Sequence, residues 1–114
     1  MSYPRRGEIY LVRMPSQSQN MKPRPTLIVS MDVRNRLAND VVVVPISTTL
    51  RTSPTHVELP EGEGGLDKIS LAKCEQITTL DKSFLIRGPF SGTISLEKMT
   101  EVEKAIQRAI GIVI

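Results

Sequence analysis

Three places in the chain hold side chains whose types and spacing can do chemistry. Arg24 is flanked by Pro23 and Pro25, which limit backbone freedom and suit a positioned cation. Ser47 closes an apolar run, with Thr48 after it. Lys73 and Glu75 stand two residues apart, on one face if the segment is a strand. Each has an ordinary alternative: a surface arginine, turn hydroxyls, and an exposed ion pair worth ~0–1 kcal/mol. Taken singly, none names a function.

Other chemistries fit less well. Glu61-Gly-Glu-Gly-Gly65 is glycine-rich, but its glutamates repel phosphate and no lysine follows at P-loop spacing, so it reads as a flexible loop. Glu101 and Glu103 belong to an amphipathic helical pattern and read as its solvated face rather than as metal ligands. His56 reads as an outward-facing surface residue on a strand, discounted as a general base. Cys74 falls on the face opposite Lys73 and Glu75, where a buried, inert thiol is expected. With one Cys and one His, the chain has no structural zinc set and no internal disulfide. No metal or other cofactor is expected.

The elements that must position these groups follow from periodicity. Residues 8–14 alternate as a strand covered on both faces, and 15–25, with three prolines, read as a long loop. Thr26 to Met31 resumes strand character, and Asp32 is expected to cap one helical turn. Val41 to Ile46 is the most continuous apolar run and predicts the central strand, with Pro45 placing its end at an edge or bulge. After a hydroxyl-rich loop, strands are expected at 55–59 and 69–77, a turn or short helix at 78–83, and a last strand at 84–86. Ser95 caps a helix with Leu96, Met99, Val102, Ala105 or Ile106, and Ile110 at helical spacing, stopped by Gly111.

The 114 residues fit one domain, 1–114, with 39% apolar and 24% charged positions. Val and Ile number 21 against 4 Ala, a β-branched bias that predicts a mainly β fold. No apolar run approaches the ~20 residues of a membrane helix, and the amino terminus lacks a signal-peptide pattern, so a cytoplasmic protein with no membrane partner is expected. Residues 1–36 carry a balance of +5 and the remainder −2, within a net +3. Such polarity is compatible with a polyanion meeting one face.

In order, RRGEIYLV, KPRPTLIVS, VVVVPIS, PTHVELP and KCEQITTLDK, followed by a terminal helix, resemble the MazF/PemK (Kid) family of toxin endoribonucleases over nearly the whole chain. The resemblance implies a small SH3-like β-barrel of the MazF/PemK/CcdB type with a C-terminal α-helix. It further implies a homodimer, a cognate MazE-like antitoxin whose acidic segment covers the RNA groove, and metal-independent, sequence-selective cleavage of single-stranded RNA, usually mRNA. Arg24 matches the family's catalytic arginine, and Ser47 stands where a catalytic threonine is usual. Lys73 and Glu75 fall where some members carry Arg and Asp, and Glu75 is the candidate general base. RNA contacts are carried over to Ser18, Gln19, Asn20, Lys22, Thr48, Lys73 and Gln76. Gln19 departs from the glutamate expected in the first loop.

These assignments suit attack by the RNA 2′-hydroxyl on its own phosphorus, giving a 2′,3′-cyclic phosphate and a 5′-hydroxyl. Arginine's fork matches two phosphate oxygens, and the hydroxyl of Ser47 or Thr48 can donate to a non-bridging oxygen. Two other readings stay open: a toxin of this fold that binds gyrase without RNA chemistry, and a family member that keeps antitoxin binding but has lost cleavage.

Overall fold

A computed structural model describes residues 3–14 and 22–113. Strands β1 (Ile9–Val12), β2 (Arg24–Ile28) and β3 (Asp40–Ser47) form an antiparallel meander, with a short helix α1 (Asp32–Leu37) between the last two. Strands β4 (His56–Leu59), β5 (Ser70–Lys73), β6 (Thr78–Asp81) and β7 (Leu85–Arg87) follow, and helix α2 (Leu96–Ala109) ends the chain. Spatial order is β4-β5-β3-β2-β1-β7, with β6 also on β3. The sheet is barrel-like without closing, because one long strand serves two partners: β3 pairs β6 through Asp40–Val43 and β5 through Ile46 and Ser47. Pro45 sits in the gap between them, where its missing N–H costs neither ladder a pair.

The VVVV run is apolar on both faces because both faces of β3 are covered. Val44 and Ile46 join Ile9, Leu27, Ala72 and Cys74 under α2, whose Met99, Val102 and Ala105 complete the main core. Val41 and Val43 point the other way, packing with Val12, Ile28 and Leu80 into a second core. Each such buried aliphatic side chain contributes roughly 1.5–3 kcal/mol.

Helix α2 starts as expected. The Ser95 hydroxyl oxygen accepts from the Lys98 N–H at 3.2 Å, while Ser95 donates to Glu63 through its hydroxyl at 2.7 Å and its N–H at 3.0 Å. Glu63 thus pins the glycine loop to the helix. Gly64, at φ +58, lies where an added Cβ would stand 2.7 Å from Ile9 Cδ1, so EGEGG is a seated turn rather than the flexible loop expected. The helix lies on the sheet through its middle only, leaving Leu96 and Ile110 exposed although periodicity placed them on the apolar face.

Three local expectations are corrected. Asp32 lies inside α1 behind Met31, and its carboxylate accepts the Arg6 N–H at 2.7 Å instead of capping the helix. The strand expected over 69–77 stops at Lys73, where Cys74–Gln76 form a 3-10 turn. Thr78–Asp81, expected as turn or helix, is a strand paired with Asp40–Val43. Its one buried residue, Leu80, is too little for a periodic signal.

Candidate nucleic-acid cleavage site

The handover of β3 from β6 to β5 leaves a cleft of about 490 Å³ at the end of the sheet. Four regions line it: Arg24 from β2; Pro45, Ile46 and Ser47 from β3, with Thr49 and Arg51 from the loop after it; His56 from β4; and Lys73, Glu75 and Gln76 from β5 and its turn. Residues distant in sequence, Arg24, Ser47, Lys73, Glu75 and Gln76, therefore meet as the sequence reading required. Lys22 and Thr48 line an adjoining hollow that shares Arg24 and Ile46. Ser18, Gln19 and Asn20 lie outside the described residues. A separate hollow of about 580 Å³ holds Asp67 and Arg87 and none of the predicted side chains.

Strand register explains the meeting of Arg24 and Ser47. Thr26 pairs with Pro45, Leu27 with Val44 and Ile28 with Val43, and continuing that register outward sets Arg24 across from Ser47. Among the described residues no ion pair holds the Arg24 guanidinium, and the residue is exposed. Its donors are available to an anion. Ser47 Oγ accepts from the Thr49 N–H at 3.1 Å, which uses an oxygen lone pair and leaves the hydroxyl hydrogen to give.

Glu75 reaches the cleft because the strand ends. Cys74 plugs the core at 0% exposure, and the turn it begins swings Glu75 off the alternation, so Lys73 and Glu75 do not share a strand face as expected. The Cys74 N–H donates to the Thr55 carbonyl at 2.9 Å, fixing the turn to the start of β4. Burial, and then the neighbouring Glu75 charge, push the Cys74 thiol up to about 12, which fits the inert thiol expected. Partial burial pushes the Glu75 carboxyl up, but hydrogen bonds from His56, its own backbone and Thr55, with the His56 charge, outweigh it. The carboxyl is held below the usual carboxylate value.

His56 is the residue sequence reasoning missed. It was expected to face outward, yet its side chain is only 8% exposed. Nδ1 lies 2.6 Å from the Arg51 carbonyl oxygen and Nε2 lies 3.0 Å from Glu75 Oε2. Alternation put His56 on the face opposite Val57 correctly, but that face is roofed by the loop carrying Arg51 and by the Glu75 turn. Thr49 and Arg51, loop residues as expected, line the cleft beside it. The Ser-Thr-Thr-Leu-Arg composition was the only available signal.

The cleft wall thus carries Arg24, Arg51 and Lys73 against one carboxylate, an excess of cations suited to a phosphate chain. Among the described residues no three of His, Cys, Asp and Glu are grouped to hold a metal ion, and no helix is long and apolar enough to cross a membrane.

Residues 5–110 match the family described as PemK-like, MazF-like toxin of type II toxin–antitoxin system. The chain is 37% identical over 112 residues to an Endoribonuclease MazF of Staphylococcus saprophyticus, covering 95% of this chain and 92% of that protein. It is similar to a mycobacterial endoribonuclease solved in complex with its cognate antitoxin, at 31% identity and TM-score 0.80, over 97% and 98% of the two chains. It is similar also to a Mycobacterium tuberculosis MazF toxin, at 25% identity and TM-score 0.79, over 94% and 99%.

Proposed function

This chain belongs to the PemK-like, MazF-like toxins of type II toxin–antitoxin systems, and on that premise we propose that it is an endoribonuclease cutting single-stranded RNA without a metal ion. The observation that carries the proposal is the convergence of Arg24, Ser47 and Glu75 on one cation-rich cleft.

RNA brings its own nucleophile. When the 2′-hydroxyl attacks the adjacent phosphorus, the 2′-oxygen–phosphorus bond forms and the phosphorus–5′-oxygen bond breaks. A catalyst has to take the 2′ proton, offset the charge growing on the phosphorane and let the 5′-oxygen leave protonated. Arg24, whose guanidinium forks onto two oxygens and stays charged, stabilises the phosphorane. Ser47 donates its hydroxyl hydrogen to a non-bridging oxygen. Glu75, ionised at neutral pH because its carboxyl is held low, takes the 2′ proton. Its low proton affinity makes it a modest base, so the reaction leans on Arg24 for most of its acceleration.

Lys73, Gln76 and, beyond the rim, Lys22 and Thr48 hold phosphates and bases on either side of the cut. Ser18, Gln19 and Asn20 contribute to base choice, with Gln19 unable to play the part of a carboxylate. The chain acts as a homodimer, and a MazE-like antitoxin lays an acidic segment over the same cations.

The test is incubation of purified protein with mixed-sequence RNA in excess EDTA, beside Arg24→Ala and a substrate with deoxyribose at the mapped cut. Cyclic-phosphate ends that vanish in both controls support the proposal. Intact RNA with well-folded protein would favour a gyrase-binding or cleavage-deficient toxin.

A further inference from the structure

One group in the cleft has no part in the chemistry above. His56 is nearly sealed, at 8% side-chain exposure, while Glu75 beside it is 39% exposed. The histidine therefore stands behind the carboxylate, and a ligand in the cleft meets Glu75 first. Its ring is held at both ends, by the Arg51 carbonyl at 2.6 Å and by Glu75 Oε2 at 3.0 Å. A carbonyl can only accept, so Nδ1 carries a hydrogen and donates it. Another hydrogen must then lie between Nε2 and Oε2.

The other carboxylate oxygen is held as well. Thr55 Oγ1 donates to Glu75 Oε1 at 2.9 Å, and Thr55 is itself fixed by its N–H to Ser53 Oγ at 3.3 Å and by its carbonyl to the Cys74 N–H. Each Glu75 oxygen thus has one protein donor and keeps a further lone pair for a ligand. Among the charged groups around the pair, Arg24, Arg51 and Lys73 line the cleft, and Arg108 reaches from α2 to the Pro54 carbonyl at 3.2 Å. All are cations, and Glu58, exposed further along β4, makes no hydrogen bond to the ring. Among the described residues Glu75 is the carboxylate that hydrogen-bonds the ring.

We propose that His56 is a positioning residue for Glu75: anchored on the Arg51 carbonyl, it locks the carboxylate in one rotamer as an anion aimed at the RNA 2′-hydroxyl. This rests on Glu75 being the base. In the step itself the 2′ proton passes to a Glu75 oxygen as the 2′-oxygen–phosphorus bond forms, and as the phosphorus–5′-oxygen bond breaks the 5′-oxygen takes a proton from solvent water. The hydrogen shared with His56 stays within the pair. The loop from Ser47 to Pro54 thereby gains a role, since Arg51 sets the ring that sets the base.

The experiment measures kcat and KM against pH on a single-cut RNA oligonucleotide, with His56→Phe, His56→Gln, Glu75→Gln and the double variant His56→Phe/Glu75→Gln. His56→Phe keeps the ring's bulk without a donor; His56→Ala serves in its place should Phe fail to fold, as judged by thermal unfolding. Removing the donor should lower kcat roughly 10- to 100-fold with little change in KM, and move the acid limb of the profile up by about one pH unit. His56→Gln, whose amide can donate to the carboxylate, should recover most of the rate. The double variant should be no slower than Glu75→Gln alone, because a residue acting through Glu75 has nothing left to act on. An unchanged acid limb, or additive losses, while Glu75→Gln is strongly slowed overturns the role of His56 and leaves the base intact. Wild-type turnover in Glu75→Gln overturns the base assignment itself.

Discussion

Two polar clusters in this molecule are made of similar parts and end differently. Within α1, Asn35 is wholly buried; its amide donates to the Ser30 carbonyl at 2.9 Å, the Ser30 hydroxyl donates back to Asn35 Oδ1, and the Val42 N–H donates to Ser30 Oγ at 2.9 Å. That knot spends its hydrogen bonds internally and fastens α1 to β3. At the opposite end of β3, Thr55 and His56 hold Glu75 in much the same way, yet the carboxylate remains 39% exposed with lone pairs to spare and the exposed Arg24 lines the same cleft. A polar cluster that satisfies itself serves the fold, whereas one that leaves matched capacity facing a cavity serves a ligand.

The contrast breaks most clearly at Arg24. Arg24→Lys keeps the charge but loses the fork, so single-turnover RNA cleavage should slow by about 10²–10³-fold. Its thermal midpoint should not move, since among the described residues no ion pair is lost; near-wild-type turnover would remove Arg24 from the centre of the reaction. Asn35→Ala should do the reverse. Stranding the Ser30 groups costs ~2 kcal/mol, read as a thermal midpoint lower by roughly 10 °C, while cleavage per folded molecule stays the same. If activity fell with stability spared, the two clusters would not be separable.

Ser47 sharpens the comparison further. Ser47→Ala should slow cleavage about tenfold, and Ser47→Thr should hold the wild-type rate because the donor is kept; equal losses in both would point to backbone geometry instead. The smallest effect concerns pH. Glu75's carboxyl is held below its unfolded value, so its contribution to stability is present above the ordinary carboxylate pKa of about 4.3 and is lost as pH falls through the folded value. Exposure keeps that contribution under ~1 kcal/mol. The gap in unfolding midpoint between wild type and Glu75→Gln should therefore close as pH drops from about 6 to about 3, and a gap that widened would reverse the sign of the shift.

Legibility varied with how much of a residue's environment is local. The Val41 to Ile46 run could be read as a strand covered on both faces because hydrophobicity without alternation has that meaning, and two cores do flank it. The start of α2 was equally readable, since a serine cap is a contact between near neighbours. β6 was not, because Thr78, Thr79 and Asp81 face solvent and only its pairing with β3 makes it a strand. His56 was misjudged for a related reason: period-two alternation assigns a face but says nothing about what roofs that face.

Composition and order of residues were enough to determine a mainly β domain, its central strand, its terminal helix and, through resemblance, its family with Arg24, Ser47 and Glu75 as candidates. All of these rest on backbone preference, apolar period or a matched motif, which are written along the chain. Tertiary structure alone decided that β3 changes partners at Pro45, that the turn after Lys73 carries Glu75 into the cleft, and that Arg51 and Glu75 close on His56. Those contacts join residues as far apart in sequence as Asp40 and Asp81, and their formation depends on which surfaces the folded sheet brings within hydrogen-bond reach.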